Sequence, residues 1–379
     1  MIQKLPELCN IQYGYAFDSA GFTEDSSYPP LVRIRDVKRG YSETYYEGEY
    51  PEEYVLHAGD LLVGMDGEFN IARWKSRDAL LNQRVCKITA KEGTNEEYLR
   101  FALSKALKEI ENRTAFVTVK HLSAKELNKL ELQVPALLVQ SRIAKILSKI
   151  EQVISLRSIE IQRLDELIKA RFVEMFGDML INPKGLSEKR LDSLADIVSG
   201  ITKGRKVKSD ELYEVPYMAV SNVKDGYIDW TTVKTIMATA AEINQYRLMP
   251  GDVLMTEGGD PDKLGRGAII HEPPQDCIHQ NHIFRVRLKQ DILLSVFMAQ
   301  YLQQQKAKRY FLGCAKQTTG IASINMRQLS ALPVLVPPMK EQEEYAAFVT
   351  QVDKSKVVVQ KALNEAQLLF DSLMQQYFG

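Results

Sequence analysis

The sequence lacks the features of exported, membrane-spanning and disulfide-stabilised proteins. No apolar run approaches the roughly 18 residues of a membrane-spanning helix, and the opening MIQKLPELCN has neither the basic segment nor the long apolar stretch of a secretory signal. The 4 cysteines lie far apart without a CxxC pair, which argues against a disulfide framework and against a zinc site. We therefore expect a soluble cytoplasmic protein with reduced cysteines.

Motifs of the common enzyme classes are missing as well. There is no GxxxxGK(S/T) phosphate loop, no GxGxxG at the start of a helix, no GxSxG, no HExxH and no Glu-x-Lys. Catalysis by this chain is therefore not expected. The formal net charge is zero, so any nucleic-acid surface must come from local clusters of charge rather than from the overall balance.

Internal similarity is the strongest signal in the sequence. KLPELCNIQYG aligns with RLDSLADIVSG 186 residues later, and LVRIRDVKRGY aligns with YMAVSNVKDGY in the same register. The offset is 192 between Gly59 and Gly251, 199 where Asn82 is aligned with Asn281, and 202 from Leu122 to the end. These ordered blocks predict a duplication with insertions of 6, 7 and 3 residues (192 − 186, 199 − 192, 202 − 199), all in the first part of the copies.

The first part of each copy has the pattern of a compact α+β domain. The apolar runs LVRIRDV, DLLVGM and RVCKI in the first copy, and DVLMT and HIFRVRL in the second, predict strands. NEEYLRFALSKALKEIENR and ILLSVFMAQYLQQQKAKRY predict helices. The fold class expected is therefore α+β, in two duplicated domains.

The last part of each copy predicts one long helix. After Pro135 and Pro337, apolar residues recur at alternating steps of three and four over roughly 38 residues, which is typical of a coiled-coil seam. At about 1.5 Å per residue each rod is on the order of 55 Å long, and the equal helix of the other copy is the obvious partner. We predict an antiparallel coiled coil with a pseudo-twofold axis; dimerisation of the chain through this seam is the alternative.

Basic and polar side chains cluster in the two globular domains, next to the insertions that distinguish them. Arg, Lys, Gln and Asn reach phosphates and base edges, whereas a single cluster of this kind can also be an ordinary solvated face. The candidate DNA-binding residues are Arg33, Arg35, Lys38, Lys75, Arg77, Gln83, Arg84 and Lys120 in the first copy, and Lys203, Arg205, Lys206, Ser221, Asn222, Lys224, Lys263, Arg266, Lys316 and Gln317 in the second.

One metal candidate stands in the second copy. Cys277, His279 and His282 are spaced so that two of them could lie near each other on a turn. The group has no fourth ligand and no counterpart in the first copy, so a structural or DNA-facing role is the favoured interpretation.

The order of these blocks resembles the specificity subunits of type I restriction-modification enzymes. The resemblance rests on VPALLVQSRIAKIL and VPPMKEQEEYAAFV, each closing an α+β domain and opening a long helix. The blocks ending in VKRGY and VKDGY, the two Gly-Asp turns and TGIASINMRQLSALPVLVPP are similar too. Essentially the whole chain is covered.

The resemblance implies a noncatalytic subunit whose two target-recognition domains read two half-sites of double-stranded DNA separated by unspecified bases. The paired helices would set the gap and recruit two methyltransferase subunits, which restriction and translocase subunits then join. S-adenosylmethionine, ATP and Mg²⁺ would belong to those partners. Base-contacting residues vary within the family, so none is carried over to this chain.

The chain is divided accordingly into four segments. Residues 1–138 form the first target-recognition domain, 139–180 the central helix, 181–338 the second target-recognition domain and 339–379 the distal helix. The alternative function is a dimeric coiled-coil scaffold that binds protein and has no DNA specificity. Strong salt dependence of duplex binding would separate the two.

Overall fold

Two compact units make up the chain. The computed structural model describes residues 1–113, 121–206, 211–259, 264–318 and 321–379. The first unit consists of Met1–Ile159 and Gln360–Gly379, and the second unit of Glu160–Val359. Each unit therefore combines one globular domain with a part of each long helix.

The first unit is built on an antiparallel sheet of four strands in the order β2-β10-β7-β8, beside a small sheet ordered β4-β9-β6. Its strands are β1 (Ile2–Lys4), β2 (Cys9–Tyr13), β3 (Phe22–Thr23), β4 (Leu31–Val32), β5 (Tyr45–Tyr46), β6 (Val55–Leu56), β7 (Leu61–Gly64), β8 (Ile71–Arg73), β9 (Ala79–Leu81), β10 (Val85–Ala90) and β11 (Glu131–Gln133). Its helices are α1 (Leu5–Leu8), α2 (Ile34–Arg39), α3 (Glu96–Arg113), α4 (Ala124–Lys129) and the first part of α5 (Leu137–Phe176), with 3₁₀ turns at Ser19–Gly21 and Glu52–Tyr54.

The second unit repeats the four-stranded sheet in the order β13-β20-β16-β18. Its strands are β12 (Ser187–Arg190), β13 (Ala195–Ser199), β14 (Tyr213–Met218), β15 (Lys234–Ala238), β16 (Val253–Thr256), β17 (Gly258–Gly259), β18 (Gly267–Ile269), β19 (Ile278–His279), β20 (Ile283–Leu288), β21 (Lys316–Thr318), β22 (Ile321–Ser323) and β23 (Pro333–Val336). Its helices are α6 (Leu191–Leu194), α7 (Ala240–Tyr246), α8 (Ser295–Leu302), α9 (Gln305–Cys314), α10 (Met326–Ser330) and part of α11 (Met339–Phe378), with a 3₁₀ turn at Val220–Asn222.

Each unit has a hydrophobic core to which both long helices contribute. In the first unit, Leu147 of α5 and Met374 of α11 belong to the same buried cluster as Leu103 of α3. In the second unit, the rings of Phe172 on α5 and Tyr345 on α11 meet at a centroid distance of 5.4 Å. Burial of such large apolar side chains is the main favourable term in folding, so each helix end is held by its own unit.

Two buried glutamines anchor the long helices in the same way. Gln140 Nε2 donates to the carbonyl of Pro135 at 2.8 Å, and its Oε1 accepts from the N–H of Asn95 at 2.8 Å. Gln342, which stands 202 residues later, repeats both bonds with Pro337 at 2.8 Å and with the N–H of Leu294 at 2.9 Å. The repeated bonds confirm the duplication and its constant last offset.

Strand pairing corrects one step of the sequence alignment. The N–H of Gln83 donates to the carbonyl of Tyr15, and the N–H of Asn281 donates to the carbonyl of Ile201. Gln83 and Asn281 are therefore equivalent at an offset of 198, and the alignment of Asn82 with Asn281 is wrong by one residue. The insertions become 6, 6 and 4 residues (192 − 186, 198 − 192, 202 − 198).

The run LVRIRDV is a strand only at its start, and the strand prediction is wrong for the rest. α2 begins at Ile34 because the buried Asp36 carboxylate accepts the N–H of Arg33 at 2.9 Å, which caps the first turn. It ends at Arg39 and is capped by Gly40, whose φ of 78° is left-handed. The runs DLLVGM, RVCKI, DVLMT and HIFRVRL all contain the strands expected.

The long helices span 40 residues each and keep the offset of 202 at both ends. NEEYLRFALSKALKEIENR contains the expected helix, α3. The helix expected in ILLSVFMAQYLQQQKAKRY is divided into α8 and α9, because Gln304 is extended, with φ −79° and ψ 152°, and the new direction buries Ala307 and Phe311 completely. Among the described residues, none of the helices is both long and apolar enough to cross a membrane.

Candidate nucleic-acid interface

Four of the predicted residues of the first unit lie around one concavity. The start of α2 supplies Arg33 and Arg35, and the turn before β10 supplies Gln83 and Arg84; the volume enclosed is about 320 Å³. The remaining lining residues are Phe22, Ile34 and Asn82. The sequence places these two segments far apart, and the parallel pairing of β4 with β9 brings them together.

Short contacts hold α2 so that its arginines face solvent. The buried Asp36 carboxylate accepts from Ser42 Oγ at 3.1 Å as well as from the Arg33 backbone. Arg33 is exposed, and Arg35 Nη2 donates to Thr44 Oγ1 at 3.1 Å with 56% of its side chain accessible. The Arg35 guanidinium is therefore positioned, and both arginines are accessible to a ligand.

The turn Asn82–Gln83–Arg84 is held in an unusual backbone conformation. Arg84 has a φ of 71°, a left-handed value that costs a non-glycine residue on the order of 1 kcal/mol or more. Its side chain lies between two partners: Nε is 3.6 Å from the Asp66 carboxylate and Nη1 is 3.1 Å from His121 Nδ1. Such strain is typical of functional sites, where the surrounding structure holds a side chain in place.

The charge of this concavity favours an anion. Three exposed arginines, Arg33, Arg35 and Arg84, line it, against one partly exposed carboxylate, Asp66 beside Arg84, while Asp36 is buried beneath α2. Arg binds phosphates and the guanine edge, and the Gln amide can pair with adenine in the major groove. The arrangement is suited to a nucleic acid.

The corresponding surface of the second unit has no arginines at the positions of Arg33 and Arg35. The positions of Arg33 and Arg35 are taken by Ala219 and the exposed Ser221, 186 residues later. The turn before β20 contains Gln280, Asn281 and His282. His282 Nδ1 lies 2.5 Å from the Glu257 carboxylate, as Arg84 lies beside Asp66 in the first unit.

Other predicted residues of the second unit fall into two groups. Lys203, Lys206 and Lys316 are exposed, and Lys224 and Arg266 are half-buried. Arg205 is committed to structure: its Nε and Nη2 each donate to the Glu242 carboxylate at 2.6 Å. This ion pair, at the start of α7, lowers the pKa of Glu242 to about 2.

Asn222 is a correction to the predicted site. Its side chain is completely buried, Nδ2 donates to the Asp229 carbonyl at 3.0 Å and to Thr232 Oγ1 at 2.9 Å, and Oδ1 accepts the N–H of Ala219. It is the equivalent of Asp36, and like Asp36 it closes a turn. DNA cannot reach it in this conformation.

The other predicted residues of the first unit lie outside the concavity. Lys38 is exposed on α2, 3.8 Å from Glu68, and Lys75 is exposed after β8. Arg77 Nη2 donates to the carbonyls of Ser26 and Tyr28, so its guanidinium holds a loop. Lys120 and Lys263 lie outside the described residues, and only the backbone of Gln317 is described.

The cysteine and histidines of the metal candidate face different partners. His279 is completely buried between the carbonyls of Tyr246 and Val198, at 3.1 and 3.3 Å, and burial lowers its pKa to about 4. Cys277 is buried, and burial raises the pKa of its thiol to about 12. His282 points to Glu257, and the described residues contain no group of three or more metal-ligating side chains.

Comparison with known proteins identifies the family. The model of the "Type I restriction modification DNA specificity domain" family matches residues 1–166 and again residues 183–367. The chain belongs to this family. The two matches lie in the two copies and confirm both the predicted family and the duplication of its DNA-recognition domain.

Individual members of the family are similar over nearly the whole chain. The type I restriction enzyme EcoBI specificity subunit of Escherichia coli is 27% identical, over 98% of this chain and 83% of that protein. The putative type I specificity subunit S.MpnORF507P of Mycoplasma pneumoniae is 23% identical, over 91% and 86%. A role in DNA sequence specificity follows from membership of this family.

Solved structures share the fold. The type I restriction-modification S subunit of M. genitalium aligns with a TM-score of 0.60 at 15% identity, covering 100% of this chain and 96% of that one. A chain from a study of complex assembly in the type I restriction-modification system aligns with a TM-score of 0.54 at 18% identity, covering 100% and 97%. At these identities the likeness concerns the fold alone.

The list of candidate DNA-binding residues omitted Asn281 and His282, which stand where the first copy has Gln83 and Arg84. The signal was present, because QNH in the second copy occupies the place of NQR in the first. It was obscured by the alignment of Asn82 with Asn281, which displaced the whole turn by one residue. Strand pairing was needed to correct it.

Proposed function

We propose that this chain is the DNA-recognition subunit of a type I restriction-modification complex and reads a bipartite target, one half-site with each unit. The observation that carries the proposal is the duplication: the family's specificity domain occurs twice, on one repeated sheet topology. In the first unit a polar surface turn leads into β10, near the end of β7. In the second unit a polar surface turn leads into β20, near the end of β16. Two quasi-independent readers account for two half-sites.

We further propose that the two long helices form an antiparallel coiled coil and set the gap between the half-sites. Within the first unit the end of α11 shares a core with the start of α5, and within the second the end of α5 shares a core with the start of α11. Lys356 Nζ also lies 2.6 Å from the Asp165 carboxylate in the second unit. Contacts of this order, end against start within each unit, support an antiparallel pairing of the helices.

Repeated exposed apolar side chains support recruitment of two methyltransferase subunits by these helices. Leu156 and Val358, equivalent at an offset of 202, are 56% and 69% exposed. Leu167 and Leu369, equivalent at the same offset, are 46% and 51% exposed. Each unit thus carries one residue of each pair, which suits two copies of one partner better than a single partner.

We propose that the chemistry belongs to those partners and that this chain is noncatalytic. S-adenosylmethionine is assigned to the methyltransferase subunits, and ATP and Mg²⁺ to restriction and translocase subunits that join them. The residues around the first unit's concavity, Arg33, Arg35, Gln83 and Arg84, bind and position DNA.

Methylome sequencing of a host that expresses the chain with its methyltransferase tests the proposal. We expect one methylated motif made of two short specified halves and an unspecified gap. A continuous motif, or none from an assembled complex, would contradict it. The alternative, a dimeric coiled-coil protein scaffold, predicts duplex affinity that is weak, the same for all sequences and little changed by salt. A DNA reader should prefer its own target and show a steep loss of affinity with salt.

A further inference from the structure

The two units carry equivalent turns at the same end of the central sheet. In the first unit the turn Asn82–Arg84 leads into β10, and in the second Gln280–His282 leads into β20. The Gln83 N–H donates to the Tyr15 carbonyl at 2.8 Å, and the Asn281 N–H makes the equivalent bond at 3.0 Å. The backbone of each turn is therefore fixed by the sheet.

The last residue of each turn has a basic side chain, and this side chain lies beside a carboxylate that follows the end of the neighbouring strand. Arg84 and His282 are 52% and 56% exposed, and their acids, Asp66 and Glu257, are 25% and 35% exposed. The acids stand one position apart in the repeat, because Glu257 is the counterpart of Met65. The same arrangement has thus been built with different residues.

The middle residue of each turn is an amide. Gln83 is exposed, and Asn281 is half-buried with Nδ2 3.3 Å from His282 Nε2. Asn and Gln pair in a bidentate manner with adenine, whereas Arg prefers guanine and His offers one donor or acceptor. Such side chains on a rigid backbone can distinguish bases, whereas a phosphate contact alone cannot.

Resting on the proposed function, we infer that Asn281 and His282 read bases of the second half-site, as Gln83 and Arg84 read bases of the first. The adjoining surface distinguishes the two readers. Arg33 and Arg35 flank the first turn, and Ala219 and Ser221 flank the second. The second turn therefore lacks the two arginines that flank the first, and its hydrogen-bonding groups are those of Asn281 and His282.

The test compares two double variants in the complete complex with methyltransferase. Asn281→Ala with His282→Ala should lower discrimination at one or two positions of the second half-site by roughly 5- to 100-fold and leave the first half-site unchanged. Gln83→Ala with Arg84→Ala should lower discrimination in the first half-site and leave the second half-site unchanged. Discrimination is measured by competition between duplexes substituted at single positions and by methylome sequencing.

Matched controls use the same residue types elsewhere in the second unit. His271 is exposed after β18, at the opposite end of the sheet from His282, and Asn244 is exposed on α7. His271→Ala and Asn244→Ala should leave both half-sites unchanged. A second double variant, Asn281→Gln with His282→Arg, copies the residues of the first turn and keeps the surface polar. It serves as the test if the alanine pair lowers the melting temperature. It should alter the second half-site.

Three results decide the matter. A change confined to the second half-site supports the inference. An unchanged motif and unchanged single-position discrimination in both Asn281–His282 variants would overturn it while leaving the bipartite function intact. A wild-type complex with no bipartite motif would instead contradict the proposed function.

Discussion

Among individual residues, the exposed arginines are available to a ligand, whereas the buried polar residues stabilise turns. Arg33 and Arg35 are exposed beside a turn of adaptable polar groups, whereas Asp36 and Asn222 are buried and close turns. Sequence alone grouped Asn222 with the exposed residues, because an amide two residues from a lysine gives no sign of its burial. Its equivalence to Asp36 explains why it points inward.

Removing the two arginines beside the first turn should flatten the salt dependence of DNA binding. If Arg33 and Arg35 each neutralise one phosphate, Arg33→Ala with Arg35→Ala should lower the slope of log K against log salt by about 1.8. Fluorescence anisotropy across a salt series measures it. Arg142→Ala with Lys145→Ala, two exposed cations on α5, is the control of equal charge, and an equal loss of slope there would refute a local contact.

Gln342 should contribute far more to the free energy of unfolding than exposed residues of the same helix. Gln342→Leu leaves the N–H of Leu294 and the carbonyls of Ile292 and Pro337 without their partner, at a cost of roughly 2–4 kcal/mol. Chemical denaturation of the full chain measures the loss. Gln351→Leu, exposed on the same helix, should change the unfolding free energy by less than about 0.5 kcal/mol, and equal effects would contradict the account.

His279 should make the second unit less stable in mild acid. Its folded pKa of about 4 lies below the unfolded value of about 6.5, so the unfolded chain binds the proton first as pH falls. The free energy of unfolding that depends on neutral His279 is fully present above about pH 6.5, and it decreases by roughly 3 kcal/mol as the pH falls to 4. His279→Gln should reduce this pH dependence relative to His271→Gln; identical profiles would show that His279 does not titrate as argued.

At the element scale, long periodic segments were predictable and short ones were not. The 40-residue helices and the central strands follow from apolar periodicity, which extends over many residues. α2 and the break at Gln304 depend on single contacts, a buried carboxylate cap and the burial of Phe311, which periodicity does not reveal. The paired position of the two turns required tertiary hydrogen bonds.

Helix length should set the gap in the DNA target. Inserting one heptad after Ile150 and one after its equivalent Val352 preserves the seam and lengthens the rod by about 10 Å. At about 3.4 Å per base pair, the gap should widen by roughly three pairs, with DNA twist and domain tilt changing this by one or two. Methylome sequencing gives the gap directly, and an unchanged gap in an active complex would show that the helices do not set it.

For the whole molecule, the net charge does not indicate a DNA partner, whereas the duplication indicates two DNA-recognition domains. The formal net charge is zero, yet the concavity of the first unit gathers three arginines. Family, duplication and long helices could be predicted from the sequence because they repeat over many residues. The individual base readers could not, because they lie in short turns whose register the insertions obscure.

Each unit should recognise its own half-site independently of the other. To measure this, residues 181–338 are replaced by the corresponding domain of another family member, and the methylome of a host with the same methyltransferase is sequenced. We expect an active complex with a new second half-site and an unchanged first half-site. A motif that changes in both halves, or in neither, would show that the units do not recognise separate half-sites.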